Sequence, residues 1–121
     1  MIAFYGGMPY VDTVLDGSQV LTLPRLSYQE CAKKCAEDFR AAADLLPNDW
    51  DKTTVGKKTL GKNDIRITKV CALGYLGKVL LWAASPLNNL GKAEKGASKN
   101  GDTYKYNTEL AAQAADALAE A

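Results

Sequence analysis

Apolar positions along the chain fall into three helix-spaced stretches separated by long polar connectors. The first opens at Ser27, with Glu30 three residues later, which is the spacing of a capping box. Leu26, just before that cap, is placed to pack on Cys31 as a hydrophobic staple does. Tyr28, Cys31, Ala32, Cys35, Phe39, Ala42, Leu45 and Leu46 then form a helical stripe, with Glu30, Lys33, Lys34, Glu37 and Arg40 on the wetter side. Pro47 ends the element, so the pattern predicts an amphipathic helix over about 28–46.

The second stretch predicts a helix over 69–84, with Thr68 as N-cap and Pro86 just beyond its end. It is apolar nearly all round, including Val70, Leu73, Leu76, Leu80 and Trp82, which predicts a central helix packed on more than one side with Trp82 in the core. Gly74 and Gly77 would let a neighbour approach closely, against a helix-propensity cost of about 1 kcal/mol each. The third helix is predicted over 108–121 behind an Asn107 cap, and seven of its fourteen residues are alanine. Its expected inner face is Leu110, Ala111, Ala114, Ala115 and Leu118.

The connectors shape the expectation about the whole protein. Loops are predicted over 1–26, 47–67 and 86–106, the last two 21 residues long, which is unusual inside one small domain. No Gly, Pro or basic last turn stops the third helix, and it ends on Glu120-Ala121, with acid at the unfavourable end of the helix dipole. Together with the aromatic, turn-rich start Phe4-Tyr5-Gly6-Gly7-Met8-Pro9-Tyr10, this reads as a piece of a longer protein.

Composition narrows the chemistry. At 121 residues the chain suffices for one modest domain, and 47% hydrophobic against 24% charged residues is globular rather than disordered composition. A net charge of +1 gives no electrostatic reason to expect nucleic acid as a partner. The absence of histidine removes the commonest general base and every imidazole metal site. Three cysteines, Cys31, Cys35 and Cys71, are too few for a disulfide framework and lack the further ligands a zinc site needs; they read as small buried hydrophobes. No metal and no cofactor are expected.

Isolated motifs fail on spacing. Gly56-Lys57-Lys58-Thr59 invites a phosphate-loop reading, but Asp51 stands where the first glycine is required. Lys52, Lys57, Lys58 and Lys62 are interleaved with Asp49, Asp51 and Asp64, as on a solvated loop. No two side chains form a recognisable catalytic pair, so no catalytic residue is assigned and the chain is not expected to be an enzyme. The longest apolar run, Val70 to Ala84, is shorter than the ~20 residues a membrane span needs, so the chain as written reads as soluble. Trp50, Tyr104 and Tyr106 are the ligand-binding candidates, since loop aromatics can stack on a sugar or a partner; the alternative is that they pin their loops to the scaffold.

The succession of segments is more specific than any one of them. Tyr5-Gly6-Gly7-Met8-Pro9-Tyr10-Val11-Asp12 is followed by Leu23-Pro24-Arg25-Leu26-Ser27-Tyr28-Gln29-Glu30. Then come Asp38 to Ala43 with Leu45-Leu46-Pro47, next Arg66-Ile67-Thr68-Lys69, and last Leu80-Leu81-Trp82-Ala83-Ala84-Ser85-Pro86. This order resembles the SusD/RagB family of Bacteroidetes outer-membrane nutrient-binding lipoproteins, and the resemblance runs over essentially the whole chain. It implies an all-α, irregular tetratricopeptide-like helical array, a partial SusD-like helical domain over 1–121. It further implies a lipid-anchored, surface-exposed parent that captures glycans or other nutrients and works with a TonB-dependent SusC-like transporter. Here the helices would be scaffold. Phe39 after Asp38, and Val70-Cys71 after Thr68-Lys69, depart from the family's usual residues without disturbing the helix pattern, and neither a signal peptide nor the lipoprotein cysteine is seen. Glycan-contacting residues lie on the family's variable loops, so none carries over.

Two helix starts 41 residues apart, against 34 in a regular tetratricopeptide array, imply irregular repeats with inserted loops. A piece of such an array leaves apolar surface uncovered, so self-association is expected at high concentration. The alternative reading is a free-standing tetratricopeptide-like module that binds another protein through a groove.

Overall fold

Ser27 stops the extended chain and starts a helix because it supplies what the first helical turn lacks. In the computed structural model, which describes residues 6–18, 22–89 and 106–121, its hydroxyl accepts from the Glu30 N–H. The Glu30 carboxylate in turn accepts from the Ser27 N–H at 2.9 Å, completing the capping box. Helix α1 then spans Tyr28–Leu45 and closes with Leu46 N–H on the Ala42 carbonyl. The sequence pattern had extended it by one residue. Helix α2 spans Lys69–Ala84 and helix α3 spans Thr108–Glu120, one residue short of the expectation. Among the described residues the fold is all-α, with no strand. No described helix is long and apolar enough to cross a membrane.

The helices run up, down and up. α2 lies in the middle, packed along α1 on one side and α3 on the other. Leu73, Leu76, Leu80 and Ala72 of α2 meet Ala43 of α1 and Ala114 and Ala117 of α3 in one core, which Phe39, Leu46 and Leu110 border. Among the described residues Leu73 is the largest fully buried side chain, and burying a leucine of that kind contributes about 1.5–3 kcal/mol. Gly77 permits the α2–α3 approach: a Cβ there would lie 2.5 Å from Leu118 Cγ and 3.2 Å from the Ala114 carbonyl oxygen. Gly74 plays no such part, because a Cβ there would meet nothing within 4 Å.

Three expectations about packing faces are corrected. Trp82 is not core: it is 47% exposed, on a stripe with Val70, Tyr75 and Leu81 along the side of α2 turned away from the core. Tyr75 stacks on Phe39 at its edge, centroids 5.8 Å apart. A helix apolar all round gives no sequence contrast between its packed and open sides, which is how Trp82 is misread. In α1, Leu45 points to solvent while Ala43 is buried. In α3 the buried residues are Ala114 and Ala117, whereas Ala115 and much of Leu118 are exposed.

The connector 47–67 is more organised than a plain loop. Two 3-10 turns, Trp50–Lys52 and Gly56–Thr59, fold against each other. Gly56 is buried there because a Cβ would lie 1.7 Å from the Trp50 carbonyl oxygen. Buried Asn63 ties the loop together, donating to Asp51 Oδ1 at 2.6 Å and to the Gly56 carbonyl at 3.0 Å, and accepting from the Thr59 hydroxyl at 2.7 Å. Connector 86–106 begins with a further 3-10 turn, Pro86–Asn88.

Candidate functional site

α1 and α3 both lie along α2 but make no extensive contact with each other, so a groove opens between them. Its volume is about 970 Å³. The floor is apolar, formed by Leu76, Leu80 and Ala83 of α2, and the small side chains of Ala32 and Ala36 keep the α1 wall low. The upper walls are acidic. Glu30, Glu37 and Asp44 follow one another at seven-residue intervals along α1, and Glu109 and Asp116 do the same along α3. Seven residues are nearly two helical turns, so each set forms a row on one side of its helix.

Both ends of the groove are closed. At one end, the last carbonyls of α2 would be orphaned by helix geometry. The Gln29 amide reaches across from α1 to donate to the Ala83 and Asn88 carbonyls, each at 3.0 Å. Asn89 donates to the Ala83 carbonyl at 2.7 Å and to that of Ser85 at 2.8 Å, and Asn88 donates to that of Trp82 at 2.8 Å. The Asn107 N–H satisfies the Ala84 carbonyl at 3.0 Å, while the Asn107 side chain caps α3 by accepting from the Leu110 N–H. Two lone pairs on the Ala83 oxygen serve two donors, so the start of α1, the end of α2 and the start of α3 are fastened together.

At the other end Glu120 forms an ionic clasp. Its carboxylate accepts from Arg40 of α1 at 2.6 Å and from Lys69 of α2 at 3.2 Å. Those hydrogen bonds, first from Arg40 and then from Lys69, hold the Glu120 carboxyl below its usual range. They also offset the unfavourable position of an acid in the last turn of a helix. Glu30 is held below its usual range as well, by the Ser27 backbone N–H and then the Ser27 hydroxyl.

The aromatic candidates are not brought together. The Trp50 indole N–H donates to the Ile67 carbonyl at 2.8 Å, and the Arg66 guanidinium lies over its ring, 5.0 Å from the centroid. Tyr106 is half exposed just before the α3 cap, at the amide end of the bundle, whereas Trp50 belongs to the connector at the Glu120 end. The thirteen residues of α3 separate these ends by about 20 Å. Tyr104 lies outside the described residues. The groove has no signature in the sequence beyond the acid rows at 30/37/44 and 109/116 on two helices.

A second polar constellation lies outside the groove. The Tyr10 hydroxyl donates to Asp38 at 2.5 Å, and Lys34 sits over the Tyr10 ring at 5.4 Å. The hydrogen bond to Asp38, ahead of other effects, pushes the phenol up to about 12. Comparison with models of known families, with curated proteins and with solved structures finds no match to this chain.

Proposed function

We propose that the chain is helical scaffold from a cell-surface nutrient-binding protein of the SusD/RagB kind. In this reading the parent is an outer-membrane lipoprotein that captures glycans or other nutrients and hands them to a TonB-dependent SusC-like transporter. The segment contributes irregular tetratricopeptide-like helices, not the chemistry of capture. The ordered succession of motifs, from Gly6-Gly7-Met8-Pro9 to Ala84-Ser85-Pro86, carries the proposal. The half-exposed stripe of Val70, Tyr75, Leu81 and Trp82 supports it, since a larger helical body would cover such a face.

The test is to sequence the DNA flanking this coding segment. The expected result is an upstream signal peptide ending in a lipobox cysteine, beside a gene for a large barrel. A start codon at Met1 with a stop after Ala121 would overturn the proposal in favour of a free-standing helical adaptor. Calorimetry against a panel of polysaccharides provides a second check. The segment alone should show no tight binding, and a tight complex would contradict a scaffold role.

A further inference from the structure

We infer that the Asp16–Gly17 peptide is a site of spontaneous covalent modification, at which Asp16 converts to isoaspartate through a cyclic imide. This goes beyond the nutrient-capture reading and holds whether or not that reading survives.

Contact geometry singles out this aspartate. The Gly17 N–H donates to Asp16 Oδ1 at 2.6 Å, and the Ser18 hydroxyl donates to Asp16 Oδ2 at 3.2 Å. Both carboxylate oxygens are thus turned onto the residues that follow, which holds the carboxyl carbon, one bond from Oδ1, beside the Gly17 nitrogen. Reacting atoms held in this way have little freedom left to lose on closing a ring. Asp16-Gly17 is the one Asp-Gly pair in the sequence, and Asp16, Gly17 and Ser18 are all exposed. Gly17 puts no side chain beside its nitrogen and lets the backbone turn as ring closure requires.

The other described aspartates lack this combination. Asp38, Asp44 and Asp116 lie inside α1 and α3, where the next N–H is committed to a helix hydrogen bond. Asp49 accepts from the N–H two residues on, and Asp51 accepts from Asn63. Asp12 and Asp64 precede the β-branched Thr13 and Ile65, which crowd the attacking nitrogen.

The chemistry needs no reactant besides water. The Gly17 nitrogen attacks the carboxyl carbon of the protonated Asp16 side chain. A C–N bond forms, and the amide proton leaves with the carboxyl hydroxyl as one water. Water then opens the cyclic imide. Breaking the new C–N bond restores aspartate, whereas breaking the original peptide C–N bond leaves isoaspartate, with the main chain rerouted through the side-chain carbons. The fold outside the turn is tied down separately, by Tyr10 on Asp38 and by the Leu26 N–H on the Met8 carbonyl at 3.3 Å.

The test ages the intact chain at physiological temperature in heavy-oxygen water. Trypsin then releases the 1–25 peptide, since Arg25 is the first basic residue, and fragmentation locates the isoaspartate. The Asn100-Gly101 pair, which would form the same imide by losing ammonia, falls on a different tryptic peptide. Isoaspartate should accumulate at position 16 ahead of position 12, with heavy oxygen incorporated. Gly17→Ala adds a Cβ that meets nothing within 4 Å, so it keeps the fold, and it should slow the conversion roughly tenfold or more. The folded chain should react at least as fast as the chain in urea, and the helix amide shifts of the aged product should be unchanged. Conversion in urea alone would show that the turn protects the site and would overturn the proposal. Equal conversion at positions 12 and 16, or an unchanged rate in Gly17→Ala, would overturn it as well.

Discussion

The two ends of the bundle formed by the three described helices are closed by opposite kinds of chemistry. At the amide end, neutral side chains of Gln29, Asn88 and Asn89 donate to the Trp82 and Ala83 carbonyls at the end of α2 and to those of Ser85 and Asn88 just after it, at 2.7–3.0 Å. At the ionic end, one carboxylate, Glu120, holds Arg40 and Lys69, and all three side chains remain substantially exposed. The first arrangement depends on position and replaces hydrogen bonds that would otherwise be lost. The second depends on charge, which water and salt screen, so its contribution is small. Three well-placed amides therefore fix their junction more firmly than the three exposed charges fix theirs.

The comparison can be broken from the middle. Leu73→Ala empties the centre of the core on which both ends rest and should destabilise by about 2–5 kcal/mol in denaturant unfolding. Amide protection should fall at both ends together; loss at one end alone would show that the ends are independent units. Gly56→Ala places a Cβ against the Trp50 carbonyl and should cost about 1–3 kcal/mol, with NMR changes confined to the connector at the ionic end. Asn89→Ala removes one of two donors to the Ser85 carbonyl, which keeps the Asn88 N–H, and one of two donors to that of Ala83, which keeps Gln29. About 1–3 kcal/mol is expected, unchanged by salt or by pH between 4 and 8.

Glu120→Gln should have the smallest effect. The folded-state carboxyl is held below its ordinary value of 4.5, chiefly by the hydrogen bond from Arg40. Its contribution is therefore fully present above that value and is lost as pH falls through the lower, folded-state value. The stability gap between the native chain and Glu120→Gln should close on acidification and also in 1 M salt. A gap independent of both would remove the distinction between the two ends.

The helices were legible because their signals are local: a capping box at Ser27, prolines at 47 and 86, and apolar spacing between them. The all-α class followed from the same signals. Which face of each helix packs was less legible where composition gave no contrast. α3 is so rich in alanine that Ala115 and Ala117 cannot be told apart by hydropathy, yet only Ala117 is buried. The junctions were not legible, because Gln29 and Asn89 are sixty positions apart and neither looks unusual where it stands. Gly56 read as a failed phosphate loop, whereas its role is to let the Trp50 carbonyl pass. The groove followed from none of these signals, since it is a gap between two helices that both chose α2 as neighbour.

The first described residues, Gly6 to Tyr10, have a kinetic consequence. Met8 exchanges two hydrogen bonds with Cys31: its N–H donates to the sulfur at 3.3 Å, and the thiol donates to its carbonyl at 3.1 Å. The Cys31 thiol is thus buried beneath a strap of backbone, while Cys35 and Cys71 are partly open. Alkylation of Cys31 must wait for the strap to lift, so its labelling rate is a clock for that opening. Maleimide should mark Cys71 well before Cys31. Tyr10→Phe, which releases the strap's hydrogen bond to Asp38, should quicken the clock at Cys31 and leave Cys71 unchanged.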